Sequence, residues 1–173
     1  MPDEKEGELV ARISFQELFM LNARFAAARS KDPRTTCGAC IVHDNKPVGT
    51  GYNGFTKGMS DDPEIWNTDR KYVFVEHAER NAIYNSDRSR LNGSHIYIWT
   101  NRNYPSCPDC TKAIIQNGIK RVCFHMREED MVTPPYFDWS DCLAMYNAGE
   151  VQVCFLGLDM EDVLRRATCE KQL

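Results

Sequence analysis

Residues 107–124 read CPDCTKAIIQNGIKRVCF, and they place a cysteine pair, a helix signal and a strand signal next to one another. Pro108 stands at a helix start and Gly118 follows the helix end, which is the preferred asymmetry of these two residue types. We therefore predict a helix over Pro108–Asn117 and a strand over the apolar run Arg121–Phe124. A helix that leads directly into a strand is typical of α/β layered proteins.

The rest of the chain continues this alternation on both sides. Toward the N-terminus we predict a helix over 14–30 with Ser14 as N-cap, a hairpin with strands 39–43 and 47–51 around Asp44-Asn45, a loop over 54–72, a helix over 76–85 and a strand over 95–99. Toward the C-terminus we predict a helix over 138–148, a strand over 151–156 and a helix over 161–166. This order predicts an α/β layered sandwich with a partly parallel sheet.

Composition and charge set the broad class of the protein. The 173 residues are 42% hydrophobic and 27% charged, which is ordinary for a single globular domain, so we expect one domain over 1–173. The 21 Lys and Arg residues are outnumbered by 25 Asp and Glu residues, which disfavours a nucleic-acid partner. The acidic start MPDEKEGELV lacks the order of a signal peptide, and no apolar run suits a membrane span. The expected compartment is the cytoplasm.

Eight cysteines call for an explanation other than a secreted disulfide framework. Cys123 and Cys154 lie inside apolar runs and are interpreted as small buried hydrophobic residues. Two Cys-x-x-Cys pairs remain. In the Cys37/Cys40 pair the intervening Gly38-Ala39 favours the start of a strand, so we expect two buried thiols there rather than metal ligands.

The second pair, Cys107 and Cys110, is a candidate metal site. Two cysteines three residues apart lie on one side of a first helical turn, and the helix N-terminus favours their thiolate form. One histidine, His77, would complete the three protein ligands of a catalytic zinc, with the fourth position left for water. Glu79 follows two residues later, close enough to move a proton without being a ligand. We therefore predict one zinc ion per chain held by His77, Cys107 and Cys110, with Glu79 as the catalytic residue.

Two rival interpretations use the same residues. Four cysteines from both pairs could hold a structural zinc, but this would leave His77 and Glu79 unexplained. A zinc-stabilised interaction module without catalytic activity is also conceivable. Glu79 argues against it, because a structural site has no use for a carboxylate beside an open coordination position.

The spacing His-x-Glu followed by Cys-x-x-Cys matches the signature of zinc nucleobase deaminases, although the proline is Pro105 and Ser106 directly precedes Cys107. Beyond this motif, the sequence resembles the deoxycytidylate (dCMP) deaminases of the cytidine deaminase superfamily over about residues 14–155. The resemblance rests on four stretches. They are SKDPRTTCGACIV (30–42), GYNGFTKGMSDD (51–62), HAERNAI (77–83) and CPDCTKAIIQNGIKRVCF (107–124).

The resemblance implies a three-layer α-β-α sandwich with a mixed five-stranded sheet. It implies that an activated water attacks C4 of cytosine while Glu79 carries protons to ring N3 and to the leaving amine. The backbone of Ala78 would bind the pyrimidine edge and Asn53 would contact the sugar. Arg29 is the best candidate for the 5′-phosphate, and Lys31 is a weaker one.

The resemblance also implies a homo-oligomer, often a hexamer. Several members of the family are activated by dCTP and inhibited by dTTP, and the 51–62 loop resembles their effector-binding part. Regulation of this chain by such a nucleotide, accompanied by Mg²⁺, is left open by the sequence. The expected reaction is dCMP to dUMP plus ammonia. A deaminase of dCTP or of a modified dCMP, and an editing deaminase of tRNA or single-stranded DNA, are the alternatives. Two departures from the family border the site. The segment from Tyr97 to Cys107 is a few residues longer, and Cys37 replaces an apolar residue.

Overall fold

The structure, a computed structural model, describes residues 12–168, so the acidic segment 1–10 lies outside the described residues. The strands are β1 (Cys37–His43), β2 (Lys46–Tyr52), β3 (Gly54–Phe55), β4 (Val75–Glu76), β5 (His95–Thr100), β6 (Arg121–Phe124) and β7 (Gln152–Phe155). The α-helices are α1 (Phe15–Ala27), α2 (Pro63–Trp66), α3 (Lys71–Phe74), α4 (Ala78–Tyr84), α5 (Pro108–Gln116), α6 (Trp139–Ala148) and α7 (Met160–Ala167).

Five strands form one mixed sheet in the order β2-β1-β5-β6-β7. Strand β1 runs antiparallel to both β2 and β5, whereas β5, β6 and β7 run parallel. The expected mixed five-stranded sheet is therefore confirmed. Strands β3 and β4 pair separately as a short antiparallel ribbon.

The alternation of side chains along the strands separates two apolar cores, one on each face of the sheet. In β1, Ala39 and Ile41 join the core that contains residues of α4, α5 and α6. Cys40 and Val42 point the other way and join the core formed with α1 and α7. This arrangement is the three-layer sandwich that the resemblance implies. Within residues 12–168, none of the helices is long and apolar enough to cross a membrane.

Local signals in the sequence explain how these elements begin and turn. Ser14 is the N-cap of α1 as predicted, and its hydroxyl and the Glu17 carboxylate each accept a backbone N–H in a reciprocal capping box. Asp44 and Asn45 have φ angles of 50° and 56°, the left-handed conformation that closes a two-residue hairpin. The predicted hairpin is therefore confirmed.

The predicted loop over 54–72 is wrong in part. The segment contains β3, all of α2 and the first residues of α3. Helices of four residues are too short to show apolar periodicity, and this is why the pattern gave no sign of them. The start of α2 did carry a local signal, because Asp62 caps the helix by accepting the N–H of Glu64 and Pro63 follows at its first position.

Glycines in β2 allow α4 to lie directly against the sheet. A Cβ atom on Gly51 would stand 2.2 Å from the backbone nitrogen of Ala82 and 2.4 Å from the carbonyl oxygen of Ala78. These are backbone atoms of α4 and cannot rotate away. The close approach fixes the N-terminal turn of α4, which carries His77 and Glu79.

We expect Gly51→Ala to lower the free energy of unfolding by about 3 kcal/mol, since overpacking against a fixed backbone forces α4 to shift. Urea denaturation of the purified protein measures this. The matched control is Gly54→Ala, whose new methyl group would meet a side-chain atom of Tyr52 at an ordinary 3.4 Å. Equal stability of the two variants would contradict the packing argument.

Candidate metal centre and substrate cavity

Two helix starts converge on one point of the structure. His77 is the N-cap of α4, and Cys107 is the N-cap of α5, both with extended backbone. Cys110 lies in the first turn of α5 and is fully buried. The predicted ligand residues therefore come together from two segments that are 30 residues apart in the chain.

The geometry of this cluster suits zinc. The Nδ1 atom of His77 lies 3.4 Å from the Sγ of Cys107 and 3.5 Å from the Sγ of Cys110. Zn–S bonds of about 2.3 Å and Zn–N bonds of about 2.0 Å at tetrahedral angles would separate such atoms by about 3.5 Å. All three candidate ligand atoms lie within 4.8 Å of one another. One imidazole and two thiols form the kind of three-ligand set that leaves a fourth position open.

The electrostatics of the cluster favour the metal-binding form of Cys107. Hydrogen bonding from the Cys110 thiol, together with the neighbouring His77, lowers the pKa of Cys107 to about 4 despite burial. This shift favours the thiolate form of Cys107, and the thiolate is the form that binds metals.

Glu79 lies next to the cluster, on the first turn of α4. Its side chain is only 4% exposed, and burial raises the pKa of its carboxyl group above the usual range. It is not one of the three clustered ligand residues. This placement agrees with a carboxylate that acts beside the metal rather than on it.

A single cavity of about 350 Å³ opens over these residues. Its lining includes His77, Ala78, Glu79 and Cys107. It also includes four aromatic residues, which are Tyr72, Tyr104, Tyr136 and Phe137. The volume lies at the lower end of the range for small-molecule sites.

Asn53 and Ala78 also line this cavity, as expected for residues near a substrate. The side chain of Asn53 is buried and bridges two backbone groups: it accepts the N–H of Cys37 at 2.8 Å and donates to the carbonyl of Thr35 at 2.8 Å. Much of its hydrogen-bonding capacity therefore holds the cavity wall in place. Ala78 is the first residue of α4, and its side chain is fully buried.

Arg29 is the predicted site residue that the structure does not bring to the cavity. Its side chain is exposed, and its guanidinium lies 5.9 Å from the ring centroid of Tyr52. Lys31 does not line the cavity either. Its Nζ pairs with Asp61 at 2.7 Å. Arg29 is thus an exposed cation just past the end of α1 and outside the cavity lining, and its predicted phosphate contact stays a prediction.

The other cysteine pair is not part of the ligand cluster. Cys40 is fully buried in the core under α1, as expected for a structural thiol. Cys37 differs, because it lines the cavity beside Asn53. Burial, with the nearby Glu79 and Cys107, raises the pKa of the Cys37 thiol well above its ordinary value, so Cys37 is a neutral polar wall of the cavity.

A buried ion pair of the cavity wall was missed by sequence reasoning. Lys71 is 2% exposed, and its Nζ lies 2.6 and 2.7 Å from the two carboxylate oxygens of Asp32. The same carboxylate accepts the backbone N–H groups of Arg34 and Thr35. Asp32 belongs to the SKDP stretch on which the family resemblance rests. No local pattern in the sequence indicates that Lys71 is buried, because lysines are almost never fully buried unless they are paired.

The departure at Ser106 has a structural reason. Its side chain is fully buried, and its hydroxyl lies 2.6 Å from the hydroxyl of Tyr146 on α6 and 3.3 Å from that of Thr111 on α5. These bonds anchor the loop just before the first thiolate. A proline at this position would lose them.

A family model described as the "Cytidine and deoxycytidylate deaminase zinc-binding region" matches residues 13–126. The chain belongs to this deaminase family. Human deoxycytidylate deaminase is 44% identical over 119 residues, which cover 65% of each chain. An uncharacterized deaminase encoded in the luxG 3′ region of Aliivibrio fischeri is 34% identical over 146 residues, covering 82% of this chain and 93% of the relative.

The deaminase fold is also found among solved structures. The dCMP deaminase of cyanophage S-TIM5, in complex with dCMP and dUMP, superposes with a TM-score of 0.63 at 24% identity. The superposition covers 84% of this chain and 98% of the phage protein. The chain matches only about 65% of the length of the human and mouse deoxycytidylate deaminases.

The expected Mg²⁺ has no comparable ligand group. Among residues 12–168, the cluster of His77, Cys107 and Cys110 is the one group of three or more His, Cys, Asp or Glu side chains arranged to hold a metal ion. The structure therefore supports zinc but gives no support to a protein-held magnesium ion.

We expect the isolated protein to contain about one zinc per chain, and Cys107→Ala and Cys110→Ala to lose it with a large drop in thermal stability, because metal binding contributes to the folding free energy. Metal content by mass spectrometry of the purified variants measures this. The matched control is Cys40→Ala, which removes a thiol of the other pair and should keep its zinc. Loss of zinc from this control would favour a four-cysteine site.

Proposed function

We propose that this protein is a zinc-dependent hydrolytic deaminase of a cytosine deoxynucleotide, which converts dCMP and water into dUMP and ammonia. The observation that carries the proposal is the buried carboxylate of Glu79 beside a three-ligand zinc cluster at the base of one small cavity. Such a site has a ligand set with an open position, a proton carrier and room for one small molecule.

The proposed ligands are His77, Cys107 and Cys110. When bound there, zinc supplies a Lewis acid that lowers the pKa of coordinated water toward about 7. These three residues, which come from the starts of α4 and α5, would hold the ion with two thiolates and a neutral imidazole. The buried wall of the cavity limits access of bulk water, which strengthens the electrostatic effect of these groups.

Glu79 is the proposed proton carrier. As the water oxygen bonds to C4, the Glu79 carboxylate takes a proton from the water and gives it to ring N3. It then moves the second proton to the amino group, which leaves as ammonia when the C4–N bond breaks. The ring is left with a 4-oxo group, so one water is consumed and one ammonia is released.

The cytosine ring is proposed to lie against the backbone of Ala78, with the sugar near Asn53. Both residues line the same cavity as Glu79. The family relationship supports a pyrimidine substrate, and the relatives named deoxycytidylate deaminase, with 44% identity, support dCMP in particular.

Other substrates fit the same chemistry less well. A polynucleotide editor needs a basic groove along the strand, whereas this chain has a net charge of −4 and a cavity of about 350 Å³. A deaminase of dCTP or of a modified dCMP would use the same chemistry. It would differ from a dCMP deaminase only where it contacts the phosphates or the edge of the pyrimidine ring. The homo-oligomeric, hexameric assembly and the cytoplasmic location stay predictions, and regulation by dCTP and dTTP stays an open question.

We expect Glu79→Gln to bind zinc normally and to lower kcat for dCMP by about 10³-fold, because proton transfer by a positioned carboxylate contributes on this scale. Ammonia release and metal content of the same preparation measure the two effects. Asp109→Asn is the control, since this carboxylate is near the cluster in sequence but is exposed and paired with Lys112. Turnover by Glu79→Gln at the control rate would refute the assigned role.

We further expect the protein to deaminate dCMP with a kcat/KM well above those for deoxycytidine, cytidine, dCTP, guanine and single-stranded DNA. An ammonia-release assay across these compounds under one set of conditions measures the preference. A preference for single-stranded DNA would favour the editing alternative, and no release from any cytosine compound would contradict the proposed function.

A further inference from the structure

We propose that Cys123 and Cys154 are a redox-active pair, in which a peroxide converts the two thiols into a disulfide that fastens β7 to β6. The deaminase chemistry uses neither residue. The sequence suggests two small buried hydrophobic residues, and this describes Cys123, which is 0% exposed. Cys154 differs, because it is partly exposed. An accessible thiol beside a second, buried thiol can react with an oxidant and then close a disulfide.

The two cysteines are direct neighbours in the sheet. Strands β6 and β7 run parallel, and Cys123 is paired with Cys154 in their register. Adjacent strands lie about 4.8 Å apart, and a disulfide requires a Cα–Cα separation of about 4.4–6.8 Å. Both side chains point to the face of the sheet that packs against α1 and α7. The separation and the direction of the two side chains therefore both suit a disulfide.

A third cysteine on the same face shows how specific this register is. Cys40 belongs to the same buried core, but Tyr97 on β5 stands between Cys40 and Cys123 in the register of the strands. Two strand spacings are about 9.6 Å, which is beyond the separation of about 7 Å that a disulfide can bridge. Cys40 is therefore an internal control, a buried thiol in the same row that has no cysteine beside it.

A cation lies next to the pair. Arg121 precedes Cys123 by two residues on β6, so that both side chains point to the same face of the sheet. Among residues 12–168, its buried Nε has no hydrogen-bond partner. Burial alone would lower the pKa of Arg121, but the neighbouring Cys154 and Cys123 thiols raise it. Arg121 can therefore stabilise negative charge that develops on the sulfur of Cys154 during oxidation.

The surroundings of the two thiols assign the order of the steps. Burial, with the neighbouring Cys154, raises the pKa of the Cys123 thiol to about 12, so Cys123 stays protonated at first. The Cys154 sulfur attacks the peroxide, the O–O bond breaks, and Cys154 becomes a sulfenic acid while one water leaves. The Cys123 sulfur then attacks the sulfenic sulfur, the S–S bond forms, and the S–O bond breaks. The leaving oxygen takes the Cys123 proton and departs as a second water, so two thiols are oxidised and one peroxide is reduced.

The pair and the zinc cluster lie on opposite faces of the sheet. Helices α4 and α5, whose starts carry the zinc ligands, pack on the face away from Cys123 and Cys154. Oxidation of the pair therefore requires no change in the zinc ligands. Strand β7 is the last strand in the order of the five-stranded sheet, and α7 follows it in the chain. The disulfide would tie this C-terminal part of the fold to the inner strands.

The test uses the full-length, zinc-loaded protein, which is treated with hydrogen peroxide, alkylated and digested with trypsin and Glu-C without reduction. We expect a cross-linked product of peptides 122–127 and 151–161, each of which contains one of the two cysteines. The number of free thiols in the denatured protein should fall by two and be restored by dithiothreitol. The zinc content should be unchanged. The midpoint of thermal unfolding should rise by several degrees, because the cross-link restricts the unfolded chain.

Two variants control the experiment. Cys40→Ala removes a thiol of the same row and the same core, and it should give the same cross-linked product as the wild type. Cys154→Ser should lose this product and leave Cys123 free for alkylation after denaturation. The wild-type result does not depend on the folding of either variant.

Several outcomes would overturn the proposal. These are a disulfide between either cysteine and any other cysteine, oxidation of Cys154 to a sulfinic acid without a cross-link, or loss of zinc before the cross-linked product forms. An unchanged or lower unfolding midpoint in the cross-linked protein would also overturn it, since the disulfide would then not fasten β7 to the sheet.

Discussion

Three donor atoms from two separate helix starts have to meet within one coordination sphere, and much of the structure serves this requirement. Helix α4 brings His77 because Gly51 lets it lie directly against β2. Helix α5 brings its two thiols because the buried hydroxyl of Ser106 is tied to Tyr146 on α6. Both supports act on backbone position at the start of a helix, so a small shift of either one would open the cluster.

A second constraint is the buried ion pair between Asp32 and Lys71, which supports another part of the cavity wall. The Asp32–Lys71 pair is buried, and burial of two charges is costly unless each is fully satisfied. Here one carboxylate satisfies Lys71 and two backbone N–H groups, so the pair joins α3 to the loop between α1 and β1. The metal cluster and the part of the cavity wall around Asp32 and Lys71 are therefore held in place by different interactions.

The sequence predicted the elements of the sandwich well, because their apolar periods, caps and turns are local. It also predicted the zinc cluster, because His77, Glu79 and the pair at 107 and 110 have fixed spacings. Sequence reasoning missed the features that depend on contacts between residues far apart in the chain. The burial of Lys71 requires Asp32, which is 39 residues away. The hydrogen bond between Arg102 and the Arg34 carbonyl likewise requires a loop conformation that no local pattern encodes.

The central claim is a zinc ion with one imidazole, two thiolates and an open position, and X-ray absorption at the zinc edge of the isolated protein tests it most directly. The account predicts two sulfur neighbours at about 2.3 Å and two nitrogen or oxygen neighbours at about 2.0–2.1 Å. Four sulfur neighbours would contradict it, since they would mean that Cys37 and Cys40 share the ion and that His77 and Glu79 serve another purpose.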